Sequence, residues 1–150
     1  MLLAPYLLFY GDCKAAFDFY CEVFHASSQI ITTFEEAPTL KDLPISLETA
    51  DLVYKGELHF ENGGYISTLV LADSPTLLFN RTADSRGIRD NISLLVKLPR
   101  SGSISINEVF NQLAIGGKIN IKIKEDSSGQ LSGSVIDRFG VCWLLEEEIM

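Results

Sequence analysis

Basic residues are scarce in this chain: 12 Lys and Arg face 20 Asp and Glu, for a formal charge of −8. Nucleic-acid binders gain affinity by displacing counterions with cationic side chains, so this balance excludes a dedicated nucleic-acid function. Cysteine is also sparse. Cys13, Cys21 and Cys142 are an odd number with no C-x-x-C among them, which argues against a disulfide framework or a zinc knuckle. On one helix Cys13 and Cys21 would stand about 12 Å apart along the axis, too far for a bridge. Free thiols in a reducing compartment are the expectation. No apolar run approaches the roughly 20 residues of a membrane helix. The opening MLLAPYLLFYGD has neither a basic leader nor a small-residue cleavage site, so a cytoplasmic protein without a membrane partner is expected. Two catalytic patterns are missing as well. There is no glycine-rich strand-to-helix turn of the kind a nucleotide-derived methyl donor needs, and no Ser-His-Asp or Cys-His set with an orienting partner.

Hydrophobic residues make up 47% of the 150 positions, enough to fill the core of one domain or of two small modules. LAPYLLFYG reads as a buried strand ended by Gly11, with Asp12 placed to cap a helix. Ala16, Phe17, Tyr20, Val23 and Phe24 then recur on one helical face. SQIITTF is β-branched and strand-like; EEAPTLKDLPISLETAD, with Pro38 and Pro44, reads as a long loop. VYKGELHFENGGYISTLVLAD reads as a hairpin turning at Asn62-Gly63-Gly64. After the polar NRTADSRGIRD the order repeats. NISLLVKLP is a strand, and SINEVFNQLAIGG a helix with a capping-box pair, Ser105 and Glu108, an apolar face of Val109, Phe110, Leu113 and Ala114, and a Gly116-Gly117 stop. KINIKIK, GQLSGSVID and FGVCWLLEE follow as strands. The most economical description is a single α+β domain built from two βαβββ modules, at about 1–80 and about 91–150, with a linker at about 81–90.

PYLLFYGDCKAAFDFYCEVF, VFNQLAIGGKI and the ending VIDRFGVCWLL resemble, in this order and over nearly the whole chain, the PhnB-like branch of the vicinal oxygen chelate superfamily. Glyoxalase I, extradiol dioxygenases and the bleomycin- and fosfomycin-resistance proteins belong to it. The resemblance implies two curved mixed sheets, each with a helix on its convex side, whose concave sides enclose a small-molecule cavity, usually in a homodimer. Metal-using members hold a cation there with four His, Glu or Gln side chains, two per module. Here the matching positions fall on Pro5, near Asp73, on Asn91 and on Leu144. Pro5 and Leu144 have no donor, so the resemblance implies that the usual metal site is missing and that no cofactor is held. Many relatives carry His where this chain has Lys55, an ammonium that would repel a cation. Ser127 and Ser128 replace aromatic residues that relatives show in the second half.

In such a fold the helix-covered face of each strand is apolar and the other face looks into the cavity. That parity assigns Tyr54, Gly56, Leu58 and Phe60 to the helix side. Lys55, Glu57 and His59 then point toward the cavity with Leu7, Phe9, Asn91, Ser93, Cys142 and Leu144. The functional reading is a mostly apolar pocket for a small organic ligand whose anionic or carbonyl group lies near Lys55. The plainer reading is a solvated strand face whose charges pair across a hairpin. An enzymatic alternative, with lyase, isomerase, transferase or dioxygenase-type chemistry, takes Asp73, Glu57 and His59 as unconventional metal ligands. A non-catalytic dimeric module is the third alternative. The remaining chemistry-bearing residues have structural readings: His25 at the dipole of a helix end, Cys142 as an inert buried thiol, Arg81, Arg86 and Arg89 as solvated linker charges, and the acidic end EEE as a solvated terminus.

Overall fold

The computed structural model describes residues 1, 3–37, 50–62, 65–74 and 92–148. In the first unit, Met1–Thr82, strand β1 (Tyr6–Phe9) leads to helix α1 (Cys13–Phe24), then to β2 (Ser28–Thr33), β3 (Val53–Asn62) and β4 (Tyr65–Asp73). The sheet order is β1-β4-β3-β2, with β1 parallel to β4 and the other pairs antiparallel. The second unit, Ala83–Met150, repeats this plan. Its elements are β5 (Leu94–Pro99), helix α2 (Ile106–Ala114), β6 (Lys118–Glu125), β7 (Leu131–Ile136) and β8 (Cys142–Glu148), in the order β5-β8-β7-β6 with β5 parallel to β8. Two four-stranded mixed sheets, each with its helix, are thus the α+β architecture that the repeated pattern implies.

Helix α1 buries Cys13, Ala16, Phe17, Tyr20 and Val23 on the first sheet. It meets the sheet at Gly56, where a Cβ would lie 2.9 Å from the Phe17 ring, so the close approach needs a residue without a side chain. Phe24 packs edge-on against Phe60, with ring centroids 5.8 Å apart. The helix-facing assignment therefore holds for Gly56, Leu58 and Phe60 but not for Tyr54: the pairing with β2 skips from Lys55 to Val53, and Val53, 1% exposed and bonded to Asp73, is the buried residue there. Asp12, in contrast, makes no side-chain bond to the helix and accepts from the Tyr10 N–H instead. The carboxylate at the start of α1 is Asp73, which comes from the end of β4: one oxygen accepts from the N–H groups of Gly11 (2.8 Å) and Cys13 (3.1 Å), the other from Val53 (3.1 Å). At its far end α1 stops at His25, whose left-handed φ of 50° lets the following N–H, of Ala26, close on the Cys21 carbonyl.

In the second unit Ser105 accepts from the Glu108 N–H at 3.1 Å, as the capping-box spacing predicts, and Ile106, Val109, Phe110 and Leu113 are buried. Val135, Trp143 and Leu145 form a fully covered row of the sheet. The turn between β7 and β8 is held by Asp137. Its carboxylate accepts from the N–H groups of Phe139 (2.8 Å) and Val141 (3.0 Å) and from the Trp143 indole (2.8 Å). The acidic end is solvated only in part: Glu148 is exposed and Glu146 half-buried, whereas Glu147 is buried in β8 and bonded to Arg100 at 2.7 Å, because strand alternation turns it inward where a cation waits. None of the three cysteines is in a disulfide.

Candidate functional site

Residues two apart on a strand share a face, and β3 uses this to line up Lys55, Glu57 and His59. The Lys55 ammonium lies 3.1 Å from one Glu57 oxygen, and His59 Nε2 lies 3.4 Å from the other. The other ring nitrogen, Nδ1, is 3.2 Å from the Thr68 hydroxyl on β4, directly across the ladder. Ammonium, carboxylate, imidazole and hydroxyl thus form one continuous chain on the face away from α1. The side chains of Glu57 and His59 are about three-quarters covered, whereas Lys55 is half exposed. Such a chain can orient a carbonyl or hydroxyl group, and with a suitable imidazole tautomer it can pass a proton between its members.

The ladder register places apolar neighbours around this chain. Glu57 stands opposite Val70 on one side and Ile30 on the other, and Val70 stands opposite Tyr6. Leu8, two residues along β1, shares that face. Tyr6 and Ile30 are 53% and 57% exposed, so an apolar rim surrounds the polar row without burying it. Burial, followed by the charge of Tyr54, raises the pKa of the Tyr6 phenol and keeps it a donor at neutral pH.

Several sequence-based placements need correction. Leu7 and Phe9 do not share the face of Lys55. They stand opposite Leu71 and Asp73 and are 7% and 3% exposed, on the side that α1 covers. The register Leu7–Leu71–Gly56 carries the helix-facing parity of Gly56 across the sheet. Asp73 lies on that covered side too, with both oxygens taken by backbone donors, so it cannot join Glu57 and His59 as a metal-ligand set. Burial raises its carboxyl pKa, and the three donors pull it back down. Among the described residues no group of three His, Cys, Asp or Glu side chains is arranged to hold a metal ion.

In the second unit Cys142 and Leu144 alternate with the buried Trp143 and Leu145 and so share the opposite face, where Leu144 stands across from Ser134 and Leu95. Ser93 precedes β5 and is exposed. Asn91 and the three linker arginines lie outside the described residues. Thr68, Tyr6 and Ile30 were not singled out from the sequence. The turn expected at Asn62-Gly63-Gly64 lies in part outside the described residues, but Asn62 pairs with Tyr65, and counting back along both strands from that pair brings His59 opposite Thr68.

Compared in sequence with known proteins, the chain matches no family model. It also matches no curated protein. Solved structures do resemble it over its full length. A PhnB protein from Bacillus cereus is 19% identical, with a TM-score of 0.65, over 99% of this chain and 100% of that one. Protein PA1353 from Pseudomonas aeruginosa is 21% identical, with a TM-score of 0.63, over 99% and 98%. The genomically encoded fosfomycin resistance protein FosX from Listeria monocytogenes is 14% identical, with a TM-score of 0.57, over 100% and 94%. The chain therefore has the fold of the glyoxalase and bleomycin-resistance superfamily, with PhnB-like structures among its neighbours.

Proposed function

We propose that this protein is a PhnB-like small-molecule binder whose ligand, an organic molecule with a carbonyl or carboxylate group, lies on the open face of the first sheet. The carrying observation is the Lys55–Glu57–His59–Thr68 chain, a row of donors and acceptors set among the exposed apolar side chains of Tyr6, Leu8 and Ile30. Pockets for small organic ligands combine these features: apolar walls give affinity and a few placed polar groups give orientation. The reading uses no metal, because Asp73 is committed to backbone donors on the other side of the sheet. Glu57 already balances the Lys55 charge, so Lys55 acts together with Glu57 and His59 rather than as a lone anion anchor. The chain works in this reading as a homodimer, as the resemblance implies.

Phenylpyruvate, with a ketone, a carboxylate and an apolar ring, is a suitable probe. Titration followed by amide NMR should give saturable shifts on 55–59 and 68–70, unchanged by EDTA, and Lys55→Ala should weaken binding about three- to tenfold. Absence of saturable binding, shifts confined to other strands, or loss of binding with EDTA would defeat the proposal.

A further inference from the structure

Within the second unit, a groove of about 330 Å³ opens between the exit of α2 and the turn joining β7 to β8. Gly116, Gly117 and Lys118 form one wall, and Arg138, Phe139 and Gly140 stand along the other. Both walls are fixed by the backbone. A Cβ on Gly117 would sit 2.2 Å from the Ile136 carbonyl oxygen, so the first wall is in direct contact with the second, and the Gly117 N–H is bonded to the Ala114 carbonyl at 3.0 Å. The second wall is the turn pinned by the Asp137 carboxylate, closed by the Gly140 N–H on the Asp137 carbonyl at 3.0 Å. The groove's shape thus exists before any ligand arrives, which lowers the ordering cost of binding.

Its chemistry is selective. In a chain of net charge −8 this groove presents two cations, Lys118 and Arg138. Its one carboxylate, Asp137, is buried and has both oxygens engaged by N–H donors. The Arg138 guanidinium carbon lies 5.9 Å from the centre of the Phe139 ring, so a planar cation and an aromatic face adjoin. Gly140, at φ +84°, has nothing within 4 Å of where a Cβ would stand, which leaves that end of the groove bare.

We propose that this groove binds a small planar organic anion, an aromatic carboxylate whose charge is held by Lys118 and Arg138 and whose ring lies against Phe139. This site is built entirely from the second unit and does not rest on the open face of the first. Salicylate is the probe, titrated into the full chain at physiological salt and followed by amide NMR. Saturable shifts are expected at residues 116–118 and 138–140. Binding should weaken about three- to fivefold in each of Lys118→Gln and Arg138→Gln, and Phe139→Leu should weaken it as well. Trp143 fluorescence, read on every variant, verifies that the Asp137 turn is intact. Absence of saturation, shifts at Lys55–His59 in place of the groove, wild-type binding by both cation variants, or full displacement of salicylate by equimolar inorganic phosphate would each overturn the proposal.

Discussion

Asp73 serves three elements at once: it ends β4, receives the first N–H groups of α1 and holds the start of β3. Asp73→Ala would leave those N–H groups without their acceptor, a loss of about 3 kcal/mol or more measurable by urea denaturation. Nothing in the neighbouring sequence announces this role, because the donors are 20 to 62 positions away. Local spacing pointed to Asp12 as the cap, and family position pointed to Asp73 as a ligand. The capping of α2 by Ser105 was legible because donor and acceptor are three residues apart.

Two other carboxylates set the response to acid. The Arg100 side chain bonded to Glu147 holds that carboxyl below its usual range, and the Ser128 hydroxyl does the same for Asp126, helped by the Gln130 and Ser128 N–H groups. A depressed folded-state pKa contributes stability above the ordinary carboxylate range and loses it as the pH falls through the lowered value. Asp73, raised by burial, runs the opposite way: its contribution is present at low pH and is lost as the pH rises. Glu147→Gln should therefore lower the melting temperature at pH 7, and the gap from wild type should narrow as the pH falls below the ordinary carboxylate range. Thiol reactivity gives a second check at this scale. Cys13 is fully buried, with its thiol pushed up by burial and then by the Asp73 charge, and Cys142 is buried, whereas Cys21 is partly open. Titration of the native protein with a thiol reagent should count one reactive cysteine per chain.

Among the elements, β3 was readable and β1 was not, for one reason. A ten-residue strand with alternating polar and apolar positions declares its faces, and Gly56 marks the side the helix approaches. Strand β1 is a four-residue apolar segment, YLLF, whose alternation is invisible in composition; its faces follow only from its parallel register with β4. Two glycines test the packing of helix and strand. Gly56→Ala brings a methyl group to 2.9 Å from a ring that can tilt, and should cost about 1–3 kcal/mol. Gly117→Ala meets the Ile136 backbone at 2.2 Å, which cannot tilt away, so its loss in denaturant stability should be the larger of the two. The opposite ranking would mean that the join of α2 to β6 is looser than the distances imply.

At the scale of the molecule, the duplicated βαβββ plan was the most legible feature. Both halves repeat strand, helix and three strands, and both sheets carry the same order with the first strand parallel to the last. What the pattern could not supply was the pairing itself, since a parallel partner lies a whole module away in sequence. No helix among the described residues is long and apolar enough to cross a membrane. If the proposed homodimer is correct, light scattering should give a mass about twice 16.6 kDa; a concentration-independent single-chain mass would remove it.

The place of β8 in its sheet constrains the order of folding. It is the last of the described elements, yet it sits between β5 and β7, so the edge strand β5 is made dozens of residues before the neighbour it must dock against. Until the ribosome has translated through Glu148 and those residues have cleared its exit tunnel, β5 has no partner and the Asp137 turn has no indole to close on. A premature stop anywhere before Cys142 would therefore remove the middle of this sheet rather than trim its rim.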